Sequence, residues 1–294
     1  MPALRAFAAV LECVLVVTQP DRPAGRGHKL RATAVKVAAI ELGIATIEPE
    51  RMRDALTTLS GIEADLYAVA SYGKIVPQAV LDLPRLGALN VHPSLLPCYR
   101  GATPLQAQLR DGIATGGVSI IAMDAGMDTG DVVLQEARAI GALVTYGELH
   151  DRFADLGAEM LGRATAQALA GTLVRTPQND LGCAEDATRT LTRPLRKDDA
   201  LVDWSWPARR VIDHVRSLSP QPGARASIDG ESERVKILFA RLAQPTDDTT
   251  ELAIACGDGE LIVVERLVPP NRGVMSGVAY RASVAARAVI GQPS

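Results

Sequence analysis

Residues 87–97 read Gly-Ala-Leu-Asn-Val-His-Pro-Ser-Leu-Leu-Pro, and the chain around them decides the fold class. The segment 87–92 has the composition of a short strand, and Pro93 ends it. Upstream, residues 66–70 form another apolar run without alternation, which is typical of a parallel strand buried on both faces. Predicted helices and strands alternate through this region. The sequence therefore predicts an α/β protein with an open, mostly parallel, Rossmann-like sheet.

Two helix starts carry clear capping signals. Thr145 and Glu148 have the spacing of a capping box, in which the threonine caps the helix and the glutamate reaches back to it. This box predicts a long helix that ends near Leu169. Thr33 similarly precedes a predicted helix that ends before Gly43.

The character of the sequence changes near residue 171, where a polar and irregular segment begins. Beyond it, residues 208–218 predict a helix, and short β-branched runs follow with hairpin signals at 229–230 and 257–259. This pattern predicts a smaller C-terminal β-barrel of the OB-like type. The predicted division is residues 1–175 for the α/β domain, 176–200 for a linker and 201–294 for the barrel.

The composition limits the class of protein. Hydrophobic residues make up 47% of the 294 residues and charged residues 22%, so a packed core is expected. The formal net charge is -3, so any contact with nucleic acid must come from a local basic patch. No apolar run approaches the ~20 residues of a membrane-spanning helix, and we expect no association with a membrane.

The four cysteines, Cys13, Cys98, Cys183 and Cys256, are far apart in the sequence and form no C-x-x-C motif. The sequence therefore gives no support to a zinc site or to disulfide bonds, and it favours a reducing cytoplasm. The first apolar run faintly resembles a secretion signal. However, Glu12 interrupts that run and no small-x-small cleavage site follows it, so we expect no secretion signal.

Asn90 and His92 lie two residues apart on the predicted strand, so their side chains project from the same face at its carboxyl end. Ligands of open α/β sheets bind at that edge. An amide and an imidazole that converge there can donate hydrogen bonds to a developing oxyanion. The alternative is a histidine that only satisfies a buried partner, and a histidine taken alone would favour it.

The whole string from Asn90 to Pro97 resembles the signature of the folate-dependent formyltransferases. These enzymes combine an Asn-x-His on a strand with an aspartate in a later loop, and Asp128 within residues 123–131 meets that position. The resemblance implies that Asn90, His92 and Asp128 are the catalytic residues. The acids of 123–131 lack calcium-loop spacing, so no metal is expected. The residues implied to hold the folate are Ser94, Leu95, Leu96 and Pro97.

Three branches of the family share these residues: glycinamide ribonucleotide formyltransferases, formyltetrahydrofolate hydrolases or dehydrogenases, and methionyl-tRNA formyltransferases. Two features favour the third branch. Residues 19–29 resemble the basic insertion loop that this branch uses on the acceptor stem of tRNA, and a β-rich second domain follows the first. A solvated surface loop is the alternative for 19–29. The expected tRNA-binding residues are Arg22, Arg26, Lys29 and Arg31.

The resemblance implies an enzyme that transfers a formyl group from 10-formyltetrahydrofolate to the α-amine of methionyl-initiator-tRNA, for translation initiation. A cytoplasmic monomer is expected, with the C-terminal barrel in contact with tRNA. Two other interpretations stay open. One is a folate-dependent formyltransferase or hydrolase that acts on a small molecule, and the other is an inactive protein that binds tRNA or folate.

Two further features of the chain bear on these expectations. The family opens with a strand and a Gly-Thr-Pro loop, whereas this chain begins near the first turn of the following helix. Loss of a central strand would leave backbone groups unpaired, so we expect a longer natural protein, or otherwise a damaged gene. Several basic residues fit a tRNA-facing stripe and an ordinary helix surface equally well: Arg196, Lys197, Arg209, Arg210 and Arg216.

Overall fold

The computed structural model of the protein describes residues 2–24, 29–183, 191–228 and 234–290. The chain divides into two compact units. The first unit comprises Met1–Ala102, Gly116–Arg138 and Asp151–Thr192, and the second comprises Thr103–Thr115, Ala139–His150 and Arg193–Ser294. The domain limits predicted at residues 175 and 200 stay predictions.

The helices are α1 (Pro2–Ala8), α2 (Ala34–Glu41), α3 (Leu56–Ser60), α4 (Gln78–Leu81), α5 (Pro104–Arg110), α6 (Tyr146–Ala170), α7 (Ala208–Leu218) and α8 (Gly277–Ile290). The strands are β1 (Val16–Val17), β2 (Arg22–Ala24), β3 (Lys29–Arg31), β4 (Thr46–Ile47), β5 (Tyr67–Ala70), β6 (Ala88–His92), β7 (Arg100–Gly101), β8 (Thr115–Ala122), β9 (Val132–Ala139), β10 (Leu191–Thr192), β11 (Ala224–Ala226), β12 (Val235–Leu242), β13 (Ala253–Ala255), β14 (Leu261–Val268) and β15 (Met275–Ser276). Short 3₁₀ turns cover Met52–Ala55, Gln178–Asp180 and Lys197–Ala200. Across the described residues, no helix has the length and apolar character needed to cross a membrane.

The sheet of the first unit has the strand order β5-β6-β8-β9. Strand β5 pairs in parallel with β6, and β6 pairs antiparallel with β8, so that His92 lies opposite Ser119. Strands β1 and β4 form a separate parallel pair, and no hydrogen-bonded ladder among the described strands joins this pair to β5. The predicted α/β, Rossmann-like class is confirmed.

The capping signals found in the sequence are present at both helix starts. The Thr145 amide donates to the Glu148 carboxylate at 2.9 Å, and the Glu148 amide donates to the Thr145 hydroxyl at 3.4 Å. At α2, the Thr33 hydroxyl accepts from the Lys36 amide at 3.2 Å. Both caps satisfy amides that a helix start otherwise leaves unpaired, and both predictions are confirmed.

The second unit contains a five-stranded antiparallel sheet in the order β11-β12-β14-β13, with β15 also on β14. The register between β12 and β14 shifts on either side of Phe239, and such bulges bend a sheet. The predicted β-rich second domain is confirmed, and it takes the form of a curled half-barrel. The turn at 257–259 joins β13 to β14 as predicted, whereas the turn predicted at 229–230 lies outside the described residues.

Helix α7 is the central helix of the second unit. Its apolar side chains Val211, Ile212, Val215 and Leu218 join the core that the sheet forms. His214 on the same helix is only 4% exposed and meets the edge of the Trp206 ring at a centroid distance of 5.2 Å. Burial lowers the pKa of His214 to about 4, and the charges of Arg110 and Arg210 act in the same direction. The backbone of Ala200 and the Asp199 carboxylate oppose that shift.

We predict that the second unit loses stability on acidification because of His214. Its folded-state pKa lies below the ordinary value of 6.5, so the unfolded chain binds more protons between about pH 4 and pH 6.5. The stability is complete above pH 6.5 and falls by roughly 3 kcal/mol as the pH drops toward 4. The measurement is urea unfolding of the full chain, followed by the fluorescence of its two tryptophans, Trp204 and Trp206.

The variant His214→Phe removes the titrating group and keeps an aromatic ring against Trp206. Its loss of stability over the same pH range should be smaller than that of the wild-type chain. The variant His150→Gln changes an exposed histidine and serves as the control. Equal pH dependence in the wild type and in His214→Phe contradicts the prediction.

Candidate active site

Asn90 and His92 lie at the carboxyl end of β6, between β5 and β8. His92 is 3% exposed, whereas Asn90 is partly buried. Their side chains share a face of the strand because residues two apart alternate to the same side. Strand β6 therefore presents an amide and an imidazole together, as the sequence predicts.

Asp128 reaches the same place from the turn that connects β8 to β9. The Asp124 carboxylate holds this turn, since it accepts from the Gly126 amide at 3.0 Å and from the Thr129 hydroxyl at 2.7 Å. Asp128 itself has a φ of 55°, in the left-handed region that aspartate visits more readily than most residues.

The Asp128 carboxylate brings the three predicted catalytic residues together. Its Oδ1 accepts from the Asn90 side-chain amide at 3.4 Å, and its Oδ2 lies 3.5 Å from His92 Nδ1. The backbone amide of Gly101 donates to Oδ2 at 2.9 Å. One carboxylate is thus held by a backbone amide and faces both side chains of β6.

The second nitrogen of His92 is already engaged. His92 Nε2 lies 3.0 Å from the carbonyl oxygen of Tyr99, and a carbonyl only accepts, so Nε2 carries the proton of that bond. Burial lowers the pKa of His92, against the opposing effect of the Asp128 charge. A neutral ring then has its lone pair on Nδ1, which faces Asp128. Nδ1 is therefore the ring nitrogen that remains able to accept a proton.

The loop after β6 is held by two polar side chains from neighbouring strands. The Ser119 hydroxyl donates to the Ser94 carbonyl at 2.7 Å and accepts from the Leu96 amide at 3.1 Å. The Gln135 side-chain amide donates to the Leu96 carbonyl at 2.9 Å. Ser94 and Leu96 are 0% exposed, Pro97 is buried and Leu95 is half-buried. Of the four residues predicted to hold folate, Leu95 is therefore the most accessible.

The same loop contains a pairing that the sequence analysis got wrong. Cys98 is disulfide-bonded to Cys183, with their Cα atoms 5.9 Å apart. The expectation of no disulfide rested on separation in sequence, but a sequence separation of 85 says nothing about the distance between the two cysteines in the fold. Cys13 and Cys256 remain free.

Residues 191–192 form the other side of this loop. Strand β10 pairs in parallel with β7, so that Thr192 lies beside Gly101. Gly101 has a φ of 102°, and a Cβ at this position would collide with the Thr192 backbone. Glycine is therefore required here, and its amide is the one that donates to Asp128. The sequence contained this glycine at the end of the loop, but nothing in it indicated the contact with Asp128.

Gln178 contacts Asp128, and Arg100 in turn contacts Gln178; the sequence analysis missed both contacts. Gln178 lies in the segment predicted to be an irregular linker, yet it is 4% exposed. Its side-chain amide donates to the Asp128 carbonyl at 2.8 Å, and its Oε1 accepts from Arg100 Nη2 at 2.6 Å. No motif in the sequence singles out this glutamine.

The basic residues at the predicted tRNA loop are partly described. Strands β2 and β3 pair antiparallel, so part of the predicted loop 19–29 is a two-stranded ribbon with Arg22 directly opposite Arg31. Both arginines are exposed, and no carboxylate of the described residues forms an ion pair with either. Asp21 instead binds Lys36 at 3.0 Å. Arg26 lies outside the described residues, as does the side chain of Lys29.

The basic residues of the second unit have mixed environments. Arg216 is 3% exposed and binds Asp213 at 2.6 Å, so both predicted placements, on a tRNA-facing stripe and on an ordinary helix surface, are wrong for it. Arg209 also binds Asp213, at 3.0 Å, and Arg210 lies 4.2 Å above the Trp206 ring. Arg196 and Lys197 are exposed, and the two interpretations of these basic residues stay open for them.

Comparison with known proteins finds matches to both parts of the chain. Residues 3–165 match the family model described as formyl transferase, and residues 194–284 match formyl transferase, C-terminal domain. A methionyl-tRNA formyltransferase of Pseudomonas putida strain GB-1 is 40% identical over 96% of this chain and 92% of its own length. That of Stutzerimonas stutzeri strain A1501 is 39% identical over 95% of this chain and 90% of its own.

Solved structures share the fold at low sequence identity. An N-formyltransferase from Helicobacter canadensis, in complex with folinic acid and dTDP-3-aminofucose, has a TM-score of 0.63 and 15% identity over 89% of this chain and 93% of its own. HypX from Aquifex aeolicus in complex with tetrahydrofolic acid has a TM-score of 0.61 over 94% of this chain and 47% of its own, at 15% identity. The chain belongs to the formyl transferase family, in the branch of the methionyl-tRNA formyltransferases.

We predict that the full chain, treated with oxidised glutathione, retains two titratable thiols out of four. The pairing leaves only Cys13 and Cys256 as free cysteines, and a Cα separation of 5.9 Å lies in the normal range for disulfides. The measurement is a thiol titration of denatured protein, with mass spectrometry of the linked peptides. Four thiols, or a linkage other than that of Cys98 to Cys183, contradict the prediction. The variant Cys98→Ser should retain three thiols.

Proposed function

We propose that this protein transfers a formyl group from 10-formyltetrahydrofolate to the α-amine of methionyl-initiator-tRNA. The observation that carries the proposal is the convergence of Asn90 and His92 on the Asp128 carboxylate, with separations of 3.4 and 3.5 Å. Membership in the family and the relatives matched over nearly the whole chain support the choice of substrates. A cytoplasmic monomer acting in translation initiation fits this role.

The reaction proceeds through a tetrahedral intermediate. The amine attacks the formyl carbon, a new carbon–nitrogen bond forms, and the carbonyl oxygen becomes an oxyanion. The side-chain amide of Asn90 donates to that oxyanion, and such preorganised donors are worth ~3 kcal/mol each. The bond from carbon to N10 then breaks and releases tetrahydrofolate.

His92 moves the proton between the two nitrogens. Its Nδ1 accepts the proton that the attacking amine loses and returns it to N10 as that nitrogen leaves. Because burial lowers the pKa of His92, the ring is neutral at neutral pH and can accept a proton, as a general base must. Asp128 stabilises the protonated ring while the proton resides there. Once protonated, Nδ1 can also donate to the oxyanion.

The loop after β6 shapes the folate site. Ser94, Leu96 and Pro97 are buried, so they fix the path of the backbone, and the half-buried side chain of Leu95 provides the apolar contact to the flat pteridine ring. The hydrogen bonds from Ser119 and Gln135 keep that backbone in place. Preorganisation of this kind reduces the entropy lost when a ligand binds.

The ribbon of β2 and β3 contacts the phosphates of the tRNA acceptor stem. Arg22 and Arg31 lie directly opposite each other, and like charges in that position repel. A phosphate between them removes the repulsion and can accept from both guanidinium groups. Arg26 and Lys29 extend the same basic stretch in the sequence.

We predict that His92→Ala and Asp128→Ala each lower the rate of formyl transfer by at least ~10²-fold, because each removes a group that acts in the transition state. The measurement is formylation of charged initiator tRNA under single-turnover conditions. Circular dichroism of each variant checks that the fold is intact. Near-normal transfer by either variant would falsify the assignment of the site.

We also predict that Arg22→Ala and Arg31→Ala weaken the use of tRNA and leave the KM for folate unchanged. Each lost phosphate contact should reduce the slope of log KM against log salt concentration by about 1. The measurement is steady-state kinetics at several salt concentrations. The matched control is Arg85→Ala, which removes an exposed arginine that pairs with Asp65. A salt slope equal to that of the control contradicts the role of the ribbon.

A further inference from the structure

Gln178 is a buried amide at the start of the 3₁₀ turn Gln178–Asp180. Contacts with other parts of the first unit hold the turn at both ends. Thr176 and Val132 exchange two backbone hydrogen bonds of 2.9 Å, and Leu181 packs against the buried cluster of Leu96, Ile121 and Val132. The position of Gln178 is therefore set by contacts on either side of it.

The side chain of Gln178 has four hydrogen bonds. Its Nε2 donates to the Asp128 carbonyl at 2.8 Å and to the Gly130 carbonyl at 2.7 Å. Its Oε1 accepts from Arg100 Nε at 2.9 Å and from Arg100 Nη2 at 2.6 Å. Both hydrogens of the amide and both lone pairs of its oxygen are used, which no other neutral side chain of this length can reproduce.

These bonds act on the two backbone segments that place the Asp128 carboxylate. The first is the turn between β8 and β9, where Asp128 has a φ of 55° and the carbonyls of Asp128 and Gly130 both accept from the Gln178 side-chain amide. The second is β7, where Arg100 precedes Gly101, whose backbone amide donates to Asp128 Oδ2 at 2.9 Å. Gln178 thus connects the residue that carries the carboxylate with the strand that supplies its hydrogen-bond donor.

We propose that Gln178 is a positioning residue for formyl transfer. It holds the backbone at Asp128 and the side chain of Arg100, and thereby keeps the Asp128 carboxylate beside His92. This inference rests on the proposed function. Its role is exerted on the chemical step, because its four hydrogen bonds go to the Asp128 and Gly130 carbonyls and to Arg100, which hold the carboxylate beside His92. If Gln178 had only a structural role, a different result would be expected. In that case its replacement lowers thermal stability, and the protein that remains folded turns over normally.

Two substitutions separate the contacts. Gln178→Met has a similar length and loses all four hydrogen bonds. Gln178→Glu keeps an oxygen for Arg100 but places a second oxygen against the Asp128 and Gly130 carbonyls, so it loses the two donated bonds. The matched control is Gln78→Met on α4, which replaces an exposed glutamine that donates to Asp82.

The experiment measures kcat and KM for both substrates, with the melting temperature, on the full chain. We expect kcat to fall by about 10- to 100-fold in both Gln178 variants, with each KM within about twofold of wild type, and Gln78→Met to match the wild type. Wild-type kcat in folded Gln178→Met overturns the proposal. If Gln178→Glu keeps the wild-type kcat while Gln178→Met does not, the proposed effect on Asp128 is overturned, because Gln178→Glu lacks the bonds donated to the Asp128 and Gly130 carbonyls.

The outcomes also separate this proposal from the proposed function. If the wild-type chain does not formylate charged initiator tRNA, the proposed function fails before any variant is compared. If the wild type is active and the Gln178 variants equal it, only the positioning role fails. Should Gln178→Met not fold, Gln178→Glu carries the test, since it retains the contact with Arg100 and is expected to lose kcat.

Discussion

The Asp128 carboxylate is the group on which the rest of the site depends. It accepts from the Gly101 amide at 2.9 Å and faces both Asn90 and His92. This arrangement needs a φ of 102° at Gly101, which glycine adopts readily, and a φ of 55° at Asp128, which is uncommon for a residue with a side chain. Conformations of this kind persist only where surrounding structure enforces them. The pairing of β7 with β10 and the hydrogen bonds of Gln178 provide that enforcement.

The electrostatic state of His92 follows from its place in this arrangement. Burial lowers its pKa, and the Tyr99 carbonyl fixes the proton of the neutral ring on Nε2. Nδ1 is then a base that lies beside a carboxylate. The negative charge of that carboxylate favours the protonated ring and so opposes the effect of burial on His92. Burial keeps the His92 ring neutral, so that it can accept a proton, and the charge of Asp128 stabilises the ring once it is protonated.

The sequence predicted the residues of the site better than it predicted what holds them. Asn90 and His92 were predictable because two residues on one strand share a face, and Asp128 because its position in the motif is specific. The contacts of Gln178, Gly101 and Cys98 were not predictable. They join residues far apart in sequence, and a contact of that kind has no periodic signal. The capping box at Thr145 was predictable because it is local.

The polar and irregular character of the segment 176–200 predicted a linker, and the structure gives a different physical reason for part of that polarity. A segment that lies against carbonyl groups of turns and strand ends must carry donors, because a buried carbonyl without a partner costs ~1–3 kcal/mol. Gln178 supplies two donors to such carbonyls, and Thr192 donates to the Arg100 carbonyl at 2.9 Å. An apolar segment could fill the same space but would leave those carbonyls unpaired. Polar residues in an irregular stretch therefore indicate either exposure to solvent or contact with backbone, and only the fold distinguishes the two.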